Sequence, residues 1–149
     1  MLIESTRLGV LDVDDARIIT FEEGLLGFPD ARRFVLIQTS PEPVFYWLQS
    51  VEFADLAFVV CDPVMFAPEY QVSIRRDDLA TLGLQDLGES QVLTIVNRVN
   101  GDLTTNLLGP LVVSTRSMRG RQLVLSDKRY STRHRLLSIG DTELCSRTA

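Results

Sequence analysis

Two segments constrain this chain more than anything else in it. They are Phe21-Glu22-Glu23-Gly24-Leu25-Leu26-Gly27-Phe28-Pro29-Asp30 and Thr104-Thr105-Asn106-Leu107-Leu108-Gly109-Pro110-Leu111-Val112-Val113. Both set Gly and Pro at fixed points among apolar residues. Gly supplies backbone conformations that other residues avoid, and Pro removes a hydrogen-bond donor. This is the punctuation of a β-rich backbone, not a catalytic constellation. The surrounding pattern has period two. Tyr70, Val72 and Ile74 alternate with Gln71, Ser73 and Arg75, which predicts a half-buried strand. Residues 17–21, 34–39, 45–49 and 57–61 are apolar and β-branched or aromatic, and read as strands. A strand over 92–99 meets Asn100-Gly101, the two residues of a type I′ hairpin turn. Residues 103–108 return antiparallel. Gly109-Pro110 then interrupts, as at a bulge, a bend or an edge, and 111–115 continue. Arg119-Gly120 is expected to turn the chain into a strand over 122–126. One short helix is expected, with Asp77 as N-cap and Gly83 as the stop, and a turn near residues 30–33. Many short strands separated by Gly and Pro imply a sandwich or a barrel, and the pattern alone does not separate the two.

The 149 residues amount to one domain, long enough to bury about 70% of the unfolded surface. The longest apolar runs fall far short of the ~18 residues of a membrane span. The first residues show no basic segment followed by an apolar one, so no signal peptide is read, and a cytoplasmic location is expected. Of two cysteines, Cys61 lies in an apolar run and Cys145 in a polar one, and a reducing compartment disfavours pairing them. Net charge is −5, unevenly placed. Residues 1–89 carry sixteen acids and six arginines, whereas residues 90–149 carry four acids, eight arginines and Lys128. The acidic half favours a basic protein partner, and the basic half keeps an anion-binding alternative open.

Candidate chemistry is thin. His134 is the sole histidine, and Arg133 and Arg135 on either side disfavour its protonation without making it a nucleophile's base. One His and two Cys fall short of a zinc set. Asp12, Asp14 and Asp15 lack the Gly and closing Glu of a calcium loop and read as a charged turn. Adjacent Glu22 and Glu23 point to opposite faces of an extended chain. Gly24-Leu25-Leu26-Gly27 lacks the Lys and Ser/Thr of a phosphate loop. The sequence therefore predicts no enzyme, no metal and no cofactor. Arg129-Tyr130-Ser131-Thr132-Arg133-His134-Arg135 mixes cations with an aromatic, which sustains a second reading as a nucleic-acid binder. For a protein partner, the notable stretch is Asp62-Pro63-Val64-Met65-Phe66-Ala67-Pro68-Glu69-Tyr70. Two prolines bar it from a central strand, so its apolar side chains either plug the fold or face a partner. With the Gly-Pro break nearby, the candidate contacts are Asp62, Met65, Phe66, Tyr70, Asn106 and Leu107. Met65 and Asn106 are expected to be exposed, and Phe66 and Leu107 stand open between core and interface.

The two punctuated segments, with Leu48-Gln49-Ser50, Asp62-Pro63 and Tyr130-Ser131-Thr132-Arg133, resemble the flagellar assembly factor FliW family in order and spacing from about Met1 to Leu137. The resemblance implies a mainly β, compact antiparallel barrel-like domain over 1–137, with one or two short helices. It leaves a polar tail over 138–149. It further implies a monomeric, non-enzymatic antagonist of the translational regulator CsrA. Such a protein also binds cytoplasmic flagellin, the two partners excluding one another, with no direct contact to nucleic acid or membrane.

Overall fold

In a computed structural model, residues 1–41 and 43–138 are described, and they form a closed barrel with two appendages. A hairpin of β1 (Leu2–Ser5) and β2 (Gly9–Asp12) precedes the wall. The wall strands are β3 (Ile19–Phe21), β4 (Arg33–Ile37), β5 (Phe45–Ser50), β6 (Ala57–Cys61), β7 (Ser90–Val99), β9 (Leu111–Ser114) and β10 (Arg119–Gln122). They pair in the order β9-β10-β3-β4-β5-β6-β7, and β7 pairs with β9 to close the ring of seven. All of these pairs are antiparallel except β3 with β10. The second appendage is β8 (Asp102–Thr105) with β11 (His134–Ser138), laid on the far half of β7. The expected mainly β, barrel-like antiparallel domain is therefore the fold. Residues 139–149, including Cys145, fall outside the described residues.

The barrel is filled by Ile19, Phe21, Phe34, Leu48, Val60, Leu93 and Leu111, all at 2% exposure or less. Phe21 and Phe34 meet edge to face at 5.8 Å. A second cluster, Leu82, Leu84, Val112 and Leu123, lies outside the wall under α1 (Arg76–Thr81). Asn100 and Gly101 both take positive φ, +48° and +86°, as the I′ turn between β7 and β8 requires.

Four local expectations are corrected. Residues 70–75 keep their alternation, with Val72 and Ile74 packed on the second cluster, but among the described residues they join no ladder. They cover that cluster, and the Gln71 N–H donates to the Tyr130 hydroxyl instead. The strand expected over 103–108 leaves the ladder after Thr105. Arg119-Gly120 is strand, not turn, and the strand expected over 122–126 ends at Gln122. Gly120 is small because the Phe21 ring lies directly against its α-carbon. The turn falls just before it, where Met118 takes φ +57° and the Ser114 hydroxyl accepts from the Arg116 and Ser117 N–H groups. Helix α1 starts earlier than expected, from Arg75, and Asp77 lies in its first turn without capping it. Gly83 ends the helix at φ +72°.

The β1–β2 hairpin is held to the barrel through Gln49, which is fully buried on β5. Its carbonyl oxygen accepts from the Ser5 hydroxyl at 2.7 Å. Its amide nitrogen lies 3.1–3.4 Å from the carbonyls of Ser50, Phe53, Ala54 and Leu56. An amide has two N–H donors, so these four oxygens share them. Removing the side chain strands buried carbonyls and the Ser5 hydroxyl. Gln49→Ala is expected to lose roughly 1–3 kcal/mol in a urea titration. Hydrogen exchange should also rise across residues 2–5.

Candidate protein-binding surface

The decisive geometry is at the break between β8 and β9. Both strands pair with the same edge of β7: Thr105 stands opposite Val96, and Leu111 opposite Leu93. They are one strand with five residues, 106–110, looped out between its halves. On its other edge the β8 half pairs with β11, and the β9 half with β10. Inside the fork, Thr94, Thr105 and Cys61 are fully buried together. The two threonine hydroxyls lie 2.7 Å apart, with the Cys61 sulfur 3.5 Å from Thr94. Burial pushes the Cys61 thiol above its ordinary pKa, against the lowering effect of both hydroxyls.

Most of the looped-out peptide groups find partners, chiefly from outside the loop. The Asn106 N–H donates to the Ile95 carbonyl, and the Asn106 side-chain oxygen accepts from the Leu108 N–H at 3.0 Å. The Leu107 N–H donates to the Ser131 carbonyl, and the Leu107 carbonyl accepts from the Tyr70 hydroxyl at 2.6 Å. The carbonyls of Leu108 and Pro110 accept from the N–H groups of Leu125 and Leu123. The Gly109 carbonyl accepts from the Gln122 amide, whose oxygen in turn accepts from the Leu26 N–H. A Cβ on Gly109 would stand 2.7 Å from the Asn106 amide nitrogen and 3.1 Å from that of Gln122, so a larger residue would push these two side chains aside. Pro110 has no N–H to satisfy.

The expected interface residues thus divide. Tyr70 and Leu107 are interior, at 7% and 1% exposure. Tyr70 also packs edge-on against Tyr130 at 4.8 Å, and burial raises its hydroxyl pKa strongly. Asn106 is half-buried with its oxygen committed, which corrects the expectation of an exposed residue there. The segment that Tyr70 anchors does reach solvent. Asp62 caps a 3-10 turn over Pro63–Met65 by accepting from the Val64 N–H at 3.1 Å. Pro63 is buried beneath the turn. Met65 is 58% exposed and Val64 48%. Phe66, half-buried, stacks on Phe45 with 6.0 Å between ring centres. Val64 and Phe45 were missed as contributors, although Val64 stands between two residues that the sequence singles out. Gln122 and Ser131 were missed as the supports of the break. Among the described residues, no cluster of three His, Cys, Asp or Glu side chains could hold a metal. No helix of the described residues is long and apolar enough to cross a membrane.

The sequence model of the FliW protein family matches residues 2–136. The chain belongs to the FliW family. A flagellar assembly factor FliW of Natranaerobius thermophilus is 37% identical over 93% of both chains. Its counterpart in Leptospira interrogans serovar Lai is 35% identical over 95% of this chain and 97% of that one. A crystal structure of the flagellar assembly factor FliW superposes with a TM-score of 0.83 at 30% identity. It covers 92% of this chain and 97% of its own. Of the pieces that carried the family resemblance, Tyr130-Ser131 reaches the break, where the Ser131 carbonyl accepts from the Leu107 N–H.

Two outcomes follow from this geometry. Tyr70→Phe deletes the donor to a buried carbonyl, so unfolding should cost about 1–3 kcal/mol less. Chemical denaturation reads this directly, and a change below the measurement error would contradict it. With Cys145→Ser making Cys61 the sole thiol, Ellman's reagent at pH 8 should titrate no thiol in the native protein and one in denaturant. Burial and the raised pKa both keep the reactive thiolate away.

Proposed function

We propose that this FliW-family chain is a non-enzymatic protein antagonist acting in the cytoplasm. It binds the translational regulator CsrA and lifts its repression of flagellin synthesis. It also binds flagellin, which captures the chain and releases CsrA. One observation carries this reading: the Asp62–Phe66 turn presents Val64 and Met65 to solvent on a rigid base. Tyr70, Pro63 and the Phe45 stack fix that base, so little ordering entropy is lost on binding. Met adapts to a partner's shape and suits a surface that serves two proteins. Among the buried polar side chains, Gln49, Thr94 and Thr105 are spent on structural hydrogen bonds, and Asp78 on ion pairs with Arg75 and Arg121, which agrees with a binding protein. The acidic balance of residues 1–89 favours a basic regulator, chiefly through association rate and specificity. The nucleic-acid reading is weaker. The Tyr130 ring packs on Tyr70 with the Arg129 guanidinium over it, and Arg129 pairs with Asp127 at 2.7 Å. That aromatic is not free to stack on bases.

Calorimetry with the host's own CsrA tests the reading. Binding is expected at low salt and should weaken as salt screens exposed charges beyond about 8–10 Å. Met65→Ala should weaken it about tenfold, or ~1.4 kcal/mol, with an unchanged melting temperature. Full binding by a normally stable Met65→Ala protein would move the interface elsewhere. Flagellin added to the preformed complex should elute with this chain in gel filtration and leave CsrA free. A stable complex of all three chains would overturn the exclusive exchange.

A further inference from the structure

A second apolar feature is built as firmly as the Met65 turn and lies away from it. Residues 24–28 form a tight knuckle. Leu25 is buried at 3% and exchanges backbone hydrogen bonds with Phe28, at 3.2 and 2.7 Å. Gly24 takes φ +68°, and a Cβ there would fall 2.5 Å from the Phe28 carbonyl oxygen. The Gln122 side chain holds the Leu26 N–H at 2.8 Å. Such a turn has one conformation. Yet it leaves Leu26 61% exposed and Phe28 41% exposed. Across a groove of about 330 Å³, Phe53 is 44% exposed on the turn that Gln49 and the Ser50 hydroxyl fix from beneath. Scattered exposed apolar residues are ordinary. Two phenylalanines that line one groove from two hydrogen-bonded turns are not scattered.

The groove's charge is one-sided. Asp30 and Asp55 both line it, no basic residue does, and neither acid has an ion-pair partner among the described residues. Arg32 and Arg33 follow Asp30 in the chain but lie outside the lining; Arg32 is exposed, and Arg33 is held by Glu52 at 3.4 Å. The groove is also remote from Met65. Asp55 precedes β6 and Asp62 follows it. Seven residue steps of nearly extended chain separate them by roughly 23 Å, so they lie at opposite ends of the strand. We propose that the groove between Phe28 and Phe53 is a second protein-docking surface. Its occupant is a segment that inserts a large apolar side chain and carries Lys or Arg beside it, facing Asp30 and Asp55. This goes beyond the function proposed above and does not depend on the Met65 surface. A preorganised aromatic pair supplies the anchor, and the two carboxylates select the sign of the partner's charge.

Fluorescence anisotropy and amide chemical-shift mapping on the full chain test it. The probes are a synthetic amphipathic peptide alternating Lys with Leu and Phe, its Glu-for-Lys counterpart, and its Ser-for-Leu/Phe counterpart. Only the first should bind saturably, with shifts centred on residues 27–31 and 53–56. Asp30→Asn with Asp55→Asn should weaken it about three- to tenfold, as two exposed charge pairs allow. Phe53→Ser should remove most of the remainder, and Met65→Ala should change nothing. Binding of the acidic peptide, shifts spread over the acidic surface at large, or no saturable binding would overturn the proposal. So would sedimentation showing that the free chain dimerises through Phe53, since a second copy would then be the occupant.

Discussion

A peptide group inside a barrel wall must have a partner, and the loop between β8 and β9 has lost its ladder. An unpaired buried N–H or carbonyl costs about 1–3 kcal/mol, and five residues in succession could strand several. The chain answers by recruiting donors and acceptors from distant segments: Tyr70, Gln122, Leu123, Leu125 and Ser131. These recruitments fix where the segments over 62–70, 122–125 and 130–131 lie. Much of what stands outside the barrel is placed by the need to close this one gap.

The same requirement joins the two punctuated segments. One side chain, Gln122, holds the Leu26 N–H with its oxygen and the Gly109 carbonyl with its nitrogen. The knuckle and the break therefore share a support, although roughly eighty residues separate them. Each candidate docking feature is then the outer side of a segment whose inner side serves the core. Met65 rides on a turn tethered through Tyr70, and Phe28 rides on a turn pinned by Leu25. The most recognisable residues of the sequence are mostly the hidden ones, and their exposed neighbours are the ones free to meet a partner.

This explains what could be read in advance. Asn100-Gly101 was legible because two positive φ angles leave few residue choices. Strands β5 and β6 were legible because none of their residues is exposed, and β7 because its middle, residues 92–96, is apolar or β-branched and buried or half-buried. The alternation over 70–75 was also real, but alternation reports burial on one side and says nothing about hydrogen-bonded neighbours. Gly120 was mistaken for a turn residue because a glycine that admits an aromatic ring looks the same in sequence as one that bends a chain. At the candidate surface, Met65 was legible from its irregular, proline-flanked context. Leu107 and Tyr70 were not resolved by pattern, because their burial depends on one hydroxyl reaching a carbonyl thirty-seven positions away. Asn106 carried the right chemistry for a contact and proved to be spent on its own loop.

The parallel seam between β3 and β10 has a consequence in time. Thr20 pairs with Arg119 across roughly a hundred residues of chain, and this seam is one of those that seal the wall. During synthesis at about 5–20 residues per second, β3 leaves the ribosome roughly 5–20 s before its neighbour exists. Until then the sheet is an open ribbon with two raw edges, exposed to pairing with other nascent chains. Gln122, the clamp of both punctuated segments, arrives at the very end of β10. The turn that carries Leu26 and Phe28 therefore lacks one of its supports until late in translation.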